Sequence, residues 1–156
     1  MKRDLRQTFA LGAALFALTL TTGAATPSIN PPPKQTRITV YKDPGCRCCK
    51  NWIEHLTRHG YAVDAKDTPD MAEVKSTLGV PSALTSCHTA LVNGYLIEGH
   101  VPAADIARLL KEKPKVAGLA VPGMPMGSPG MEGPQQQHYQ VLSFDKNGKT
   151  KIFASY

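Results

Sequence analysis

The sequence predicts a single α/β domain carrying an added Gly/Pro/Met-rich loop and a C-terminal β-hairpin. Three observations carry this. Short β-branched runs alternate with segments of helical period, an Asn-Gly pair is flanked by apolar residues, and Asp-Lys-Asn-Gly separates two final alternating runs. The 156 residues amount to one domain, and 42% hydrophobic residues supply one modest core.

The chain opens on Lys2, Arg3 and Arg6, continues as an apolar run from Phe9 to Leu20, and closes this segment with Thr22, Gly23, Ala24 and Ala25. A charged start, an apolar centre and a small-residue end make residues 1–25 a secretory signal peptide, cut after Ala24 or Ala25. The apolar run is about half the roughly 20 residues a bilayer-spanning helix needs. No Cys lies near the cleavage point, which removes a lipid-anchored form, and Lys2-Arg3 is a poor twin-arginine match. Loss of Lys2, Arg3, Arg6 and Asp4 lowers the formal net charge from +6 to +4. The remaining cations are dispersed, without the basic, aromatic-interleaved stripe that nucleic-acid binding requires.

Residues 26–36 form a proline-rich linker, stiffened by Pro27 and Pro31-Pro32-Pro33, so the folded domain is placed at 37–156. Arg37 to Tyr41 alternates and is β-branched, a strand ended by the turn residues Asp43-Pro44-Gly45. A helix is predicted from about Cys48 to His59, with Cys49, Trp52, Ile53 and Leu56 on one face and Gly60 as its stop. Tyr61 to Ala65 is a second short strand. Asp70 caps a helix running to about Leu78, with Glu73 completing a capping box.

Thr89 to Val92 and Tyr95 to Glu98 flank Asn93-Gly94, which supplies the two positive-φ residues of a type I′ turn. Pro102 to Lys111 is a helix with Ile106, Leu109 and Leu110 facing inward. From Pro114 to Pro134 the chain has no period and reads as one long loop. Tyr139 to Phe144 and Lys149 to Ala154 make the terminal hairpin. Strand, helix, strand, helix, hairpin, helix resembles the order of a thioredoxin-like domain with cysteines at its first helix.

All four cysteines lie after the signal peptide, in a disulfide-permissive setting. Three crowd into Cys46-Arg47-Cys48-Cys49, whereas a stapling framework spreads its cysteines to close long loops. Cys46 and Cys49 have Cys-x-x-Cys spacing at a helix N-terminus, where unpaired N–H groups, Arg47 and Lys50 favour thiolate over thiol. Redox exchange and metal ligation both need that.

With a two-residue turn at Asn93-Gly94, Val92 pairs with Tyr95. Counting outward sets His88 opposite Gly99 and Cys87 opposite His100, about 5 Å apart across the ladder. Thioredoxin-like domains carry a cis-proline before this hairpin; here Cys87-His88-Thr89 occupies that place. A fourth sulfur and an imidazole there suit a metal cluster better than a dithiol exchanger.

Met124, Met126 and, behind them, Met131 sit in the Gly/Pro loop, where burial gives them little purpose and their thioethers suit copper(I). His55 and His59 are i, i+4 but about 15 Å along the helix axis from Cys49, and read as surface or boundary residues. Trp52 reads as core. His138 just precedes the last hairpin, and nothing in its surroundings argues for a role.

The chain resembles the CopG-like periplasmic copper-resistance proteins. The resemblance rests on Tyr41-Lys42-Asp43-Pro44-Gly45-Cys46-Arg47-Cys48-Cys49-Lys50-Asn51-Trp52, Ser86-Cys87-His88-Thr89-Ala90, Ile97-Glu98-Gly99-His100-Val101-Pro102, Pro122-Gly123-Met124-Pro125 and Gly127-Ser128-Pro129-Gly130-Met131-Glu132. It implies a thioredoxin-like fold, export to the periplasm, binding of several copper ions near the cysteine motif and a part in copper tolerance, with copper redox chemistry. The expected ligands are Cys46, Cys48, Cys49 and Cys87 as thiolates, completed by His88, Met124, Met126 and His100. The metal is copper(I), in a multinuclear site, because zinc gains nothing from thioethers. Expected partners are copper ions and other periplasmic copper-handling proteins, with neither nucleic acid nor, after cleavage, membrane. Two other readings remain at this point: a thiol-disulfide oxidoreductase of thioredoxin type and a disulfide-stapled interaction module.

Overall fold

The computed structural model describes residues 35–156; the signal-peptide segment and nearly all of the linker lie outside the described residues. Among the described residues no helix is long and apolar enough to cross a membrane. The chain runs β1 (Arg37–Lys42), α1 (Arg47–Arg58), β2 (Ala62–Asp67), α2 (Met71–Leu78), a single 3-10 turn (Ser82–Leu84), β3 (His88–Val92), β4 (Tyr95–Glu98), α3 (Ala103–Glu112), β5 (Gly118–Ala120), β6 (Gln140–Phe144) and β7 (Thr150–Ser155). It is a mixed α/β single domain on one seven-stranded sheet, ordered β2-β1-β3-β4-β5-β6-β7.

β1 pairs parallel with β2 and antiparallel with β3, the crossover to β2 being made by α1. α3 likewise joins the parallel pair β4 and β5. The main core takes Ile38 and Val40 from β1, Trp52 and Leu56 from α1, Ala90, Val92 and Ile97 from the hairpin, and Ile106 and Leu109 from α3. Leu110, expected inside, is partly buried against this core.

The Asn93-Gly94 hairpin forms in the expected register, Val92 opposite Tyr95 and Thr89 opposite Glu98, with φ of 46° and 84° at the two turn residues. Helix α2 ends on Gly79 at φ 76°. Its capping box is only half made: Asp70 Oδ1 accepts the Glu73 N–H at 2.9 Å, but the Asp70 N–H donates to Thr68 Oγ1 instead of to Glu73.

The long loop expected from Pro114 to Pro134 is interrupted by β5. Gly118, Leu119 and Ala120 are all buried, between β4 and β6. A strand covered on both faces shows no alternation, so a periodicity search cannot find it. Pro102 is the cap residue before α3, not its first helical residue. The terminal hairpin pairs Val141 with Ala154 and then Leu142 with Ile152, a bulge the sequence does not announce.

Candidate metal centre

The register of β1 on β3 pairs Lys42 with His88. The chain leaving β1 therefore turns through Asp43-Pro44-Gly45 and starts α1 beside the foot of the hairpin. Cys46 caps α1, its sulfur accepting the Cys49 N–H at 3.3 Å. Cys49 is buried on the inner face with Trp52 and Leu56, while Cys46 and Cys48 are part-exposed.

The sulfurs of Cys46, Cys48, Cys49 and Cys87 all lie within 4.8 Å of one another. Cys48 Sγ is 3.5 Å from Cys46 Sγ and 3.6 Å from Cys87 Sγ. Cys46 and Cys49 are joined in a disulfide, leaving Cys48 and Cys87 as the free thiols. The four sulfurs converge as expected, but in this state two of them are not thiolates. Four thiolates require that bond to be reduced.

A second group shares Cys87: its sulfur and one ring nitrogen each of His88 and His100 also lie within 4.8 Å of one another. Cys87 Sγ is 3.1 Å from His100 Nε2 and 3.2 Å from His88 Nδ1. His100 Nδ1 is 2.8 Å from the Pro129 carbonyl, which can only accept, so Nδ1 carries the proton and Nε2 turns its lone pair towards Cys87. An imidazole whose far nitrogen donates to a backbone carbonyl is the usual support of a metal-binding histidine. His88 is fully buried beneath Trp52, the ring centroids 4.3 Å apart, and its Nε2 has no hydrogen-bond partner among the described residues. Orphaned buried nitrogens are uncommon and call for an explanation.

Electrostatics favour neutral groups here. Burial, reinforced by the neighbouring Cys48, pushes the Cys87 thiol up to about 12. Burial also depresses His100, and holds His88 well below the usual imidazole range with help from His100 and Lys75. The lowered thiol pKa values expected for Cys46 and Cys49 cannot apply to disulfide sulfurs, and at Cys87 desolvation works in the opposite direction. A bound cation would supply the charge that this pocket lacks and displace the thiol proton outright.

The Gly/Pro/Met loop is tied against the same site at three points. The Gly123 N–H reaches the Thr85 carbonyl at 3.2 Å, the Ser86 hydroxyl donates to the Gly123 carbonyl, and Pro129 holds His100. Gly130, at φ 86°, lies so close to α1 that a Cβ would sit 2.8 Å from the Cys48 oxygen and the Trp52 nitrogen. Met124 is 51% exposed; Met126 and Met131 are half-buried. Met126 is fixed by its backbone, its N–H donating to Gln137 Oε1 and its carbonyl accepting from the Gln137 N–H, each at 2.9 Å.

His55 and His59 belong to neither cluster. His59 is exposed, and half-buried His55 accepts the Ala103 N–H on Nε2 at 3.0 Å, satisfying a donor at the start of α3. His138 is exposed, 3.3 Å from the Tyr156 carbonyl. Sequence reasoning missed Glu98, which is fully buried and accepts from Lys75 Nζ, the Ser86 N–H and Thr89 Oγ1, each at 2.6 Å. The available signal was a carboxylate closing the apolar strand Tyr95-Leu96-Ile97-Glu98, opposite Thr89.

Residues 84–131 match a sequence family described as a protein of unknown function, DUF411, a span that holds Cys87, His88, His100 and the loop methionines but not the Cys46–Cys49 turn. No curated protein matches the chain. The chain is similar to two solved structures, both of a copper resistance protein copG. Form 2 is 48% identical, covers 79% of this chain and 99% of its own, and superposes with a TM-score of 0.75. Form 1 is also 48% identical, covers 79% and 98%, and gives a TM-score of 0.74.

Proposed function

The chain belongs to the CopG-like family of copper resistance proteins, and from that premise we propose that it binds copper(I) as cargo in the cysteine–histidine cluster and contributes to copper tolerance. The observation that carries the reading is the convergence of four sulfurs within 4.8 Å, sharing Cys87 with two buried imidazoles. With the disulfide reduced, Cys46, Cys48, Cys49 and Cys87 provide thiolates, and His88 and His100 provide neutral nitrogens. Met124 and Met126 add thioethers from the loop that closes on the site. Soft donors in this number favour copper(I) over zinc and can bridge more than one ion.

Reducing the Cys46–Cys49 disulfide takes two electrons and two protons and yields two thiols. In the opposite direction, closing the dithiol to the disulfide releases two electrons and two protons, and two copper(II) ions accept those electrons to become copper(I), so copper redox chemistry is part of the reading. The strand order β2-β1-β3-β4, with α1 starting at the cysteines, supports a thioredoxin-like description of that half of the sheet. Export follows from residues 1–25: the protein acts in the periplasm after cleavage, handing copper to or from other copper-handling proteins there.

A second reading, thiol-disulfide exchange, is favoured by the Cys46–Cys49 disulfide with the Cys48 sulfur 3.5 Å from Cys46. The raised Cys87 thiol speaks against Cys87 as its resolving nucleophile.

Anaerobic titration of the reduced protein with copper(I) separates the two. Binding of more than one copper per chain, falling in Cys87→Ser, is the expected result. Failure to bind copper(I), with turnover of a disulfide substrate, would replace it with the exchange reading.

A further inference from the structure

Glu98 is a fully buried carboxylate that accepts three hydrogen bonds, two on one oxygen and one on the other. Oε1 accepts from Lys75 Nζ and from the Ser86 N–H, and Oε2 accepts from Thr89 Oγ1, which in turn accepts from Lys75 Nζ at 2.9 Å. Through this arrangement the backbone of Ser86 is fixed to the end of β4. The Ser86 hydroxyl then donates to the Gly123 carbonyl, while the Gly123 N–H donates to Thr85. Gly99, at φ 71°, lies against the same side chain: a Cβ there would stand 2.5 Å from Ser86 Oγ and 2.6 Å from the Val121 oxygen.

Three chain segments thus cross at Ser86, and each continues directly into a soft donor. Cys87 follows Ser86, His100 follows Gly99, and Met124 follows Gly123. We propose that Ser86, clamped by Glu98, is a positioning residue that fixes the Cys87 sulfur, the His100 imidazole and the Met124 thioether relative to one another.

This assignment rests on the copper(I) reading above. Cys87 and His100 are also held by the hairpin ladder, where Gly99 N–H bonds His88 O at 3.0 Å. Met124 has no such support: it is half exposed, outside any strand or helix, and its backbone joins the site through Gly123. The hydroxyl of Ser86 therefore acts chiefly on Met124. Loss of a group that orients a metal ligand typically costs about 10–100-fold in affinity.

The test is a double-mutant cycle on the reduced protein, with copper(I) affinity read by competition against a chromophoric copper(I) chelator. Ser86→Ala retains the N–H bond to Glu98 and the Gly123 N–H bond to Thr85, and removes the hydroxyl's bond to the Gly123 carbonyl. The expected result is a roughly tenfold loss in Ser86→Ala, a similar loss in Met124→Leu, and little further loss in the double variant. Glu98→Gln, measured in the same two backgrounds, should show the same non-additivity. Urea unfolding of the metal-free proteins measures any separate loss of stability.

Unchanged affinity in Ser86→Ala or in Met124→Leu overturns the assignment, as do losses that simply add. Wild-type protein that takes up no copper(I) overturns the copper reading itself, an outcome distinct from wild type and Ser86→Ala binding equally well.

Discussion

At His55, a neutral ring nitrogen receives the Ala103 N–H, and burial, with His59 and Arg58 adding to it and Glu132 opposing, lowers the pKa to about 4 from 6.5. The folded chain therefore binds fewer protons here than the unfolded chain between those values. The contribution of His55 is complete above pH 6.5 and is lost as pH falls towards about 4. With part of the ring open to solvent, the loss should be about 1–2 kcal/mol, below what the full shift implies. His55→Gln keeps an acceptor for Ala103 without a titrating proton. Its urea-unfolding free energy, subtracted from that of wild type across pH 4–7, should show a wild-type decline that the variant lacks. Parallel curves would assign the acid sensitivity to other groups. The clustering of Cys46, Cys48 and Cys49 was visible in the sequence because it is local. Cys87 and His100 were visible because a two-residue turn fixes every pairing outward from it. The roles of Pro129, Ser86 and Glu98 were not, since each depends on a contact across at least 12 residues of chain.

Among the elements, β5 is the one that sequence pattern could not supply. Its three residues are buried, and Gly118 lies so close to β4 that an added Cβ would run into the Leu96 carbonyl. Gly118→Ala should therefore destabilise the protein by about 2 kcal/mol or more, read as a lower urea midpoint. A midpoint unchanged from wild type would mean that β4 and β5 part easily. β5 also carries the chain from α3 back through the sheet to Val121, whose N–H bonds the Glu98 carbonyl at 2.9 Å, and so delivers the Met loop to the hairpin foot. Helix α1, by contrast, was readable from its apolar face and its Gly60 stop, and runs within one residue of its expected bounds.

For the molecule as a whole, the clustered sulfurs and imidazoles come from the start of α1 and the foot of the β3–β4 hairpin, brought together only in the folded chain, and the loop after β5 is bonded beside them through Gly123 and Pro129. Copper(I) binding should therefore stabilise the fold by mass action, about 2.7 kcal/mol at a free concentration 100 times Kd, less whatever Cys46-Arg47-Cys48-Cys49 retains when unfolded. Anaerobic calorimetry should show the melting temperature of the reduced protein rising by several degrees with copper(I), and by less in Cys87→Ser. No rise in the wild type would mean that the folded arrangement adds nothing to what the cysteine turn binds alone. The sequence by itself determined the α/β class, both hairpins, the cysteine turn and the register that sets Cys87 against His100, because short-range pattern and turn chemistry decide these. Tertiary structure alone decided β5, the buried Glu98–Lys75 clamp, the tautomer of His100 and the docking of the loop on α1. Those depend on which distant backbone groups become neighbours, and no local period in the chain encodes that.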